Sequence, residues 1–431
     1  MIELISSKDQ ERLAAKLRRI RQRNVALDTA LMEQVTAIID EVRTRGDAAL
    51  VEYAERFDEF SLQPSELRVN KETLREFAGR VDAAVLEGLR EAIARVRRFH
   101  KAERAESWEI DGPNGVRLGQ RITPIDRVGV YVPGGTAAYP SSVVMNVVPA
   151  QVAGVERIVI ATPPRTLNEN PAVAAAICEL GVDEVYAVGG AQAVAALAYG
   201  TETVPPVDKI TGPGNKYVAA AKKLVFGVVG IDSIAGPSEV IVLADDTARA
   251  SFVAADLLAQ AEHSEDACAI LITTSDTLAE EVARELEAKV AALPRREIIK
   301  KSLAQYGAIM VVEDLNEACN LVNEIAPEHL EIMSRDVERI AARIRNAGAI
   351  FFGDYSPEAV GDYLAGPNHV LPTARTARFS SALGVHDFIK RTNTVKFSVE
   401  EMRRTARVIA TLARVEGLEA HAQSTLIRLD E

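Results

Sequence analysis

Between residues 27 and 104, apolar residues recur every three to four positions within long charged stretches. The spacing is clear in Leu74, Phe77, Val81, Val85, Leu89, Ile93 and Val96. It is the period of an α-helix with one apolar face, so this region is predicted to be a helical layer. Residues 107–121 are polar and rich in turn residues, which predicts a hairpin or a linker.

From residue 128 onward, short β-branched runs alternate with alanine-rich segments. Runs with so little polar alternation are typical of strands covered on both faces. The predicted strands are Val128–Val132, Arg157–Thr162, Glu184–Val188, Val240–Ala244, Ala269–Thr273, Ala308–Val312 and Ala349–Phe352. The pattern predicts an α/β fold with mostly parallel sheet. Two sheets are favoured over one, because an irregular glycine-rich stretch from Thr211 to Gly236 separates the first three runs from the last four.

Both ends of the chain differ from this pattern. The N-terminal segment mixes basic and acidic residues without an apolar region, so it is interpreted as a solvated helix rather than a targeting peptide. Near the other end, Val385–Lys396 is predicted to be irregular and Glu400–Val415 to be an amphipathic helix. That helix leads into a tail that carries Glu416 and His421.

Composition narrows the possible classes. The chain has 431 residues, 48% of them hydrophobic and 26% charged, as in ordinary globular proteins. A net charge of −12 argues against nucleic acid or an anionic membrane as the main partner. The three cysteines are widely spaced, which favours a reducing compartment. No apolar run approaches the ~18 residues of a membrane span, so a soluble, cytoplasmic protein is expected.

Three glycine-containing loops follow predicted strands. They are Val132-Pro133-Gly134-Gly135-Thr136, Val188-Gly189-Gly190-Ala191-Gln192 and Thr211-Gly212-Pro213-Gly214-Asn215. Glycine lets a backbone approach a ligand closely, and open α/β sheets bind ligands beyond the carboxyl ends of their strands. A nucleotide phosphate would fit. The signal is weak, because Tyr217 stands where a dinucleotide fingerprint needs its third glycine, and turn formation explains each loop equally well.

Gln260 and His263 are three residues apart, which places an amide and an imidazole on one helix face. With Asp362 and His421 they would supply only oxygen and nitrogen donors, a set that suits Zn²⁺ or Mn²⁺. The sequence alone does not bring these four positions together, and glutamine is an uncommon zinc ligand. A single histidine near an acid is usually structural.

Glu328 and His329 are adjacent titratable groups and form a candidate general-base pair. Pro327 before them suits the first turn of a helix, so a capped helix start explains the same residues. The remaining histidines, His100, His369 and His386, are interpreted as structural.

Taken together, the polar motifs resemble the histidinol dehydrogenase family, whose motifs occur in this order over nearly the whole chain. The matching segments are Val130-Tyr131-Val132-Pro133-Gly134-Gly135, Gly212-Pro213-Gly214-Asn215, Ala235-Gly236-Pro237-Ser238-Glu239-Val240, Gln260-Ala261-Glu262-His263, Pro327-Glu328-His329-Leu330-Glu331, Gly361-Asp362-Tyr363, Gly366-Pro367-Asn368-His369-Val370-Leu371-Pro372-Thr373 and Glu416-Gly417-Leu418-Glu419-Ala420-His421.

The resemblance implies two incomplete Rossmann-like domains, similar to those of aldehyde dehydrogenases, with a small N-terminal helical region and a C-terminal tail. The expected divisions are an arm at 1–25, a first α/β domain of 26–109 with 238–383 that carries most metal and catalytic residues, a second, NAD-binding domain at 128–237, and a dimerisation tail at 384–431.

The resemblance also implies an activity: oxidation of L-histidinol to L-histidine through L-histidinaldehyde, the last steps of histidine biosynthesis, with two NAD⁺ reduced in succession and one Zn²⁺ per site. The implied zinc ligands are Gln260, His263, Asp362 and His421, which with Ser238, Glu328, His329 and Glu416 would also contact the substrate. Tyr131, Gln192 and Asn215 match NAD-contacting positions. His329 would take the hydroxyl proton, and Glu328 would activate the water that hydrates the aldehyde.

By the same resemblance the protein is a homodimer with exchanged C-terminal tails, in which Glu416 and His421 reach the partner's site.

Two other hypotheses about the function stay open. Cys268 could form a thiohemiacetal with an aldehyde, although a cysteine next to a predicted strand is more often buried. Alternatively, the four donor residues could serve a zinc-dependent hydrolase or an amino-acid-binding protein without NAD.

Overall fold

The computed structural model describes residues 2–23, 28–134 and 139–429. Gly135 and Thr136 of the first predicted loop lie outside these ranges. In the described residues the strands are β1 (Glu3–Ser6), β2 (Trp108–Asp111), β3 (Arg117–Pro124), β4 (Arg127–Tyr131), β5 (Arg157–Thr162), β6 (Glu184–Ala187), β7 (Lys209–Thr211), β8 (Gly230–Ile231), β9 (Glu239–Ala244), β10 (Cys268–Thr273), β11 (Ala308–Val311), β12 (His329–Met333), β13 (Ala349–Phe352) and β14 (Ile389–Lys396). All seven predicted runs are strands.

The α-helices of the same residues are α1 (Gln10–Arg21), α2 (Thr29–Arg45), α3 (Asp47–Asp58), α4 (Lys71–Ala78), α5 (Ala83–Lys101), α6 (Pro140–Ala153), α7 (Thr166–Glu169), α8 (Pro171–Glu179), α9 (Gly190–Tyr199), α10 (Lys216–Val225), α11 (Ala250–Ala261), α12 (Asp276–Val290), α13 (Arg296–Gln305), α14 (Leu315–Ile325), α15 (Val337–Ala341), α16 (Glu358–Tyr363), α17 (Val399–Val415) and α18 (Glu419–Leu426). None of these helices combines the length and apolar character needed to span a bilayer.

A six-stranded parallel sheet has the order β1-β11-β10-β9-β12-β13. One face packs on α1 and α14 through residues such as Leu17 and Val322, and the other packs on α11, α12 and α13. The N-terminal segment is therefore more than the predicted helical arm. Its strand β1 forms the sheet edge, and α1 buries four residues instead of being fully solvated.

A five-stranded parallel sheet has the order β6-β5-β4-β7-β8. Helices α2, α3, α9 and α10 cover one face, and α4, α5, α6 and α8 cover the other. The grouping of residues 26–109 with 238–383 was thus wrong. The helices between residues 28 and 101 bury their apolar stripes against the sheet formed by residues 127–231, because that sheet supplies the complementary alanine- and valine-rich surfaces.

A third sheet is antiparallel, in the order β14-β3-β2. The hairpin predicted around residues 107–121 is confirmed, since β2 and β3 pair across a short turn. The prediction that 385–396 is irregular was wrong, because β14 pairs with β3 along eight residues, from Ile389 to Lys396. Helices α17 and α18 pack on each other, and Glu401 of α17 accepts a hydrogen bond from Asn114 (2.7 Å).

Candidate active site

A cavity of about 830 Å³ opens beside the carboxyl ends of the five-stranded sheet. Its lining includes Tyr131, Gln192 and Asn215, the three residues predicted to contact a cofactor. The Tyr131 hydroxyl accepts a hydrogen bond from the N–H of Gly190 (3.1 Å), and burial raises the pKa of Tyr131 to about 12. A cavity of this size is typical of small-molecule and cofactor sites.

Backbone geometry shapes this cavity. Gly212 has φ +113°, and a Cβ at this position would overlap the carbonyl oxygen of Tyr131, so only glycine allows the two loops to meet. Asn215 caps α10 by accepting hydrogen bonds from the N–H groups of Tyr217 (3.0 Å) and Val218 (3.2 Å). Helices α9 and α10 both begin at the cavity, where helix N-termini attract anionic groups.

Glu328 and His329 lie at the start of β12, with only 6% and 4% of their surfaces exposed. The predicted helix start after Pro327 was wrong. Ala326 turns the chain with φ +51°, and the following residues enter the sheet, where β9 and β13 supply hydrogen-bonding partners on both sides. Both side chains are therefore fixed by a buried strand.

The backbone of Glu239, the first residue of β9, holds both members of this pair. Its N–H donates to Glu328 Oε2 (3.0 Å), and its carbonyl oxygen lies 3.1 Å from His329 Nδ1. Because a carbonyl only accepts, Nδ1 carries the proton and the neutral ring has its lone pair on Nε2. Burial lowers the pKa of His329 to about 3 and raises the pKa of Glu328 well above its usual range. His329 is thus neutral at pH 7, with no proton on Nε2.

Beside this pair, His263, Glu358 and Asp362 each offer one donor atom, and these atoms lie within 4.8 Å of one another. His263 Nε2 is 3.7 Å from Glu358 Oε1. Burial raises the pKa of both carboxyl groups, and the neighbouring Asp362 raises the pKa of Glu358 further. The predicted shared helix face of Gln260 and His263 was wrong, because α11 ends at Ala261 and His263 follows in a turn, where its N–H donates to the Gln260 carbonyl oxygen (3.2 Å). Gln260 is fully buried, yet neither polar atom of its side chain has a partner among the described residues. A buried cluster of carboxyl groups and an imidazole beside an unpartnered amide favours a bound cation.

Helix α16 carries Glu358 and Asp362 to this position. Its first N–H, that of Glu358, donates to Glu331 Oε1 (2.7 Å) at the centre of β12. Gly361 leaves room for the Phe351 ring, which a Cβ would overlap. The helix is therefore fixed to the strand that carries His329.

The family model for histidinol dehydrogenase matches residues 21–429. The chain belongs to the histidinol dehydrogenase family. It is 55% identical over 409 residues to the histidinol dehydrogenase of Geobacillus kaustophilus, covering 94% of this chain and 96% of that protein. It is 54% identical over 394 residues to that of Bradyrhizobium diazoefficiens, covering 91% of each.

Solved structures agree with this assignment. The crystal structure of histidinol dehydrogenase from Elizabethkingia anophelis is similar with a TM-score of 0.93 and 33% identity, over 100% of this chain and 98% of that one. Apo betaine aldehyde dehydrogenase from Staphylococcus aureus aligns with a TM-score of 0.50 and 14% identity, over 89% and 86% of the chains. The second similarity concerns the fold alone and confirms the aldehyde-dehydrogenase-like architecture.

Within this histidinol dehydrogenase fold, two site residues escaped the sequence analysis. Glu358 is four residues before Asp362 on α16, and this one-turn spacing was a readable signal. His369 was interpreted as structural. Its Nε2 is buried without a partner among the described residues. Burial is the main cause that lowers the pKa of His263 and His329, and the nearby His369 lowers both further. No local pattern distinguished it from an ordinary turn histidine. His100, also interpreted as structural, is fully buried, and its Nδ1 lies 2.7 Å from Glu103 Oε2.

The structure of this family member does not group the other predicted site residues with His263, Glu358 and Asp362. Ser238 precedes Glu239 and is partly buried. Glu416 and His421 are exposed, on the helix pair formed by α17 and α18, and His421 does not join the His263 group within one chain. Cys268 is buried in β10, its thiol donates to the Tyr306 carbonyl (3.3 Å), and burial raises its pKa to about 11. A thiol in this state is a poor nucleophile, which argues against the thiohemiacetal route.

Proposed function

We propose that this protein catalyses the NAD-dependent four-electron oxidation of L-histidinol to L-histidine through L-histidinaldehyde, the last steps of histidine biosynthesis, in the cytoplasm. The observation that carries the proposal is the buried Glu328–His329 pair beside the cation-suited group of His263, Glu358 and Asp362. The names of the relatives support the substrate. A zinc-dependent hydrolase or an amino-acid-binding protein would not need the large cavity at the glycine turns.

The donors present fit a zinc ion. Gln260 has two buried polar atoms without partners, and His263 and Asp362 supply one nitrogen and one oxygen. These three residues would hold the ion together with His421 from a second copy of the chain. When bound, the ion would act mainly as a template that orients the amine and imidazole nitrogens of the substrate. The same donor set also suits Mn²⁺.

The cavity fits NAD⁺. Tyr131, Gln192 and Asn215 would contact the cofactor, and the N-termini of α9 and α10 would face its phosphates. When bound, NAD⁺ supplies the hydride acceptor, once for the alcohol and once for the hydrated aldehyde. The overall balance is one L-histidinol, one water and two NAD⁺ giving one L-histidine, two NADH and the released protons.

His329 and Glu328 divide the proton transfers. The Nε2 lone pair of His329 accepts the hydroxyl proton during the first oxidation, while the hydrogen bond from Nδ1 to Glu239 keeps the ring in the required tautomer. Glu328, whose Oε2 is held in place by the Glu239 N–H, would accept a proton from the water that adds to the aldehyde. Burial of both residues keeps other water away from the bound aldehyde.

The active form in this proposal is a homodimer with exchanged tails. Glu416 and His421 are exposed in the single chain, and the helix that precedes them presents apolar side chains to solvent, with Val408 59%, Leu412 62% and Val415 82% exposed. Such a face favours association with a second copy.

Mixing two inactive variants tests the tail exchange. In a heterodimer of His329→Asn and His421→Asn chains, one site would carry both defects and the other neither, so random reassortment should restore about a quarter of wild-type activity. If both residues serve a site within the same chain, mixing restores nothing.

The reaction itself is tested by counting NADH formed per L-histidinol at exhaustion, before and after chelation and zinc restoration. We expect two NADH per substrate, lost on chelation and recovered with zinc. One NADH would indicate an alcohol dehydrogenase that releases the aldehyde, and none would favour the hydrolase or binding alternative.

A further inference from the structure

Arg23 lies just after α1, in the N-terminal segment, yet only 2% of its side chain is exposed. Its guanidinium donates to the carbonyl oxygens of Ser238 (3.2 Å) and Asp266 (2.7 Å) and forms an ion pair with the carboxylate of Glu239. It also lies 5.6 Å from the centre of the Tyr306 ring. The N-terminal segment thus reaches the amino ends of the central strands of the six-stranded sheet.

Two of these contacts are made with the adjacent residues Ser238 and Glu239, and the backbone of Glu239 holds the proposed catalytic pair. The N–H of Glu239 holds the Glu328 carboxyl group, and its carbonyl oxygen holds the His329 ring. The Ser238 carbonyl also accepts the N–H of Cys268 (3.0 Å), which fixes the peptide to β10. A shift at Ser238–Glu239 would therefore move both catalytic groups at once.

We propose that Arg23 is a positioning residue that holds Ser238 and Glu239 in place, and through the backbone of Glu239 sets the placement of Glu328 and the tautomer of His329. The inference rests on the proposed function of that pair. Arg23 acts through backbone and carboxylate contacts and touches neither catalytic side chain through a hydrogen bond.

Charge and shape both explain why an arginine is needed. The Glu239 carboxylate is buried next to Glu328, so without Arg23 a second uncompensated acid would lie beside the catalytic one. The planar guanidinium fork reaches three acceptors at once, whereas a lysine ammonium on a flexible chain does not reproduce that arrangement. Lysine would keep the charge and lose part of the alignment.

The test compares Arg23→Met with Arg21→Met. Arg21 is the matched control, since it is an arginine two residues away whose side chain is 37% exposed and pairs with Glu324 on the surface. We expect Arg23→Met to lower kcat about tenfold or more, because small displacements of reacting groups are costly. NAD⁺ affinity and zinc content should stay at wild-type values, and Arg21→Met should change neither kcat nor these properties.

Two further variants separate positioning from stability. Arg23→Met combined with Glu239→Gln removes the stranded charge, so we expect the melting temperature to recover while kcat stays low. Arg23→Lys should fold even if Arg23→Met does not, with kcat reduced about threefold or more, since it retains the charge without the fork. Recovery of kcat in parallel with melting temperature would overturn the positioning role.

An imidazole ¹⁵N NMR spectrum reads the His329 tautomer independently of turnover, with His329→Asn identifying its signals. The wild type and Arg21→Met should show a proton fixed on Nδ1, and Arg23→Met should show a mixture of tautomers. A wild type that produces no NADH would refute the proposed function, while this spectrum would still decide the role of Arg23. An unchanged spectrum and unchanged kcat in Arg23→Met would refute the positioning role.

Discussion

The two parallel sheets place their sites at opposite strand ends. In the five-stranded sheet the cavity lies at the carboxyl ends, where Tyr131 closes β4 and Gly212 follows β7. In the six-stranded sheet the proposed catalytic groups lie at the amino ends, where Glu239 begins β9 and His329 begins β12. The usual location of ligands in open α/β sheets therefore holds for only one half of the molecule.

The two sites also differ in what they are made of. The cavity is shaped by glycines, helix N-termini and residues such as Tyr131 and Asn215 that already have hydrogen-bond partners. The proposed catalytic site contains buried atoms of Gln260, Glu358 and His369 that lack partners in the described part of the chain. We conclude that side-chain changes should damage chemistry in one half, whereas backbone changes should damage cofactor binding in the other.

The largest effect is expected from His329→Asn, which removes the proposed base and leaves the strand in place. We expect kcat to fall by about 10²- to 10⁴-fold, the usual contribution of a general base. NAD⁺ affinity, measured by titration calorimetry, should not change. His386→Asn is the control, since His386 is 46% exposed beside Asp387. A His329→Asn variant that lost NAD⁺ binding would contradict the separation of the two halves.

Glu358→Gln tests whether the residue missing from the sequence analysis belongs to the metal group. Loss of its charge next to His263 and Asp362 should weaken zinc affinity by about 10- to 100-fold, as for residues that support metal ligands. Competition with a chromogenic chelator gives this affinity, and the exposed Glu338→Gln serves as the control. Equal zinc affinities in the two variants would remove Glu358 from the site.

Gly212→Ala tests the backbone character of the cofactor half. A Cβ at Gly212 would overlap the Tyr131 carbonyl, so the Michaelis constant for NAD⁺ should rise about tenfold, with zinc content unchanged. Gly227→Ala separates the effect of backbone strain at positive φ from the effect of steric overlap. Gly227 has a similar φ of +104°, but no atom lies within 4 Å of the added Cβ. If both variants raise this constant equally, the close approach of the two loops is not what matters.

Asp58 differs from Tyr131 and Asn215 of the cavity, which have hydrogen-bond partners. It lines the cavity with a buried oxygen that has no partner among the described residues. Burial raises its pKa to about 6, so folding disfavours the charged form and stability falls as the pH rises from the unfolded pKa through 6. Asp58→Asn should therefore raise the melting temperature slightly at about pH 8, and the gain should vanish near pH 4.

The exposed Asp126→Asn is the control for this comparison, since its side chain is 88% exposed. Destabilisation by Asp58→Asn at about pH 8 would show that the carboxylate is compensated in the folded protein.

The sequence predicted the strands well where burial produced continuous apolar runs. It failed at β12, because the run from His329 to Met333 is interrupted by Glu331, a buried carboxyl group that anchors α16. It also misplaced the helices of residues 28–101, since an apolar helical stripe indicates that a helix packs but not which sheet it packs on. Tertiary structure alone decides that choice.

In the candidate site, residues close together in the chain could be grouped from their spacing, whereas contacts between distant segments could not be predicted from the sequence. Helical periodicity grouped Gln260 with His263, although α11 ends at Ala261 and only the turn after it carries His263, and motif resemblance supplied Asp362. The roles of Glu239 and Arg23 could not be read in the same way, because both act through backbone contacts between segments more than 80 residues apart. A side chain that orients another leaves no local pattern.

Binding of NAD⁺ to zinc-free and zinc-loaded protein, measured by calorimetry with turnover measured on the same samples, tests the division of the molecule most directly. The account predicts the same NAD⁺ affinity in both forms, with turnover of L-histidinol lost on chelation and restored by zinc. Failure of the zinc-free protein to bind NAD⁺, or turnover that survives complete removal of the metal, would contradict it.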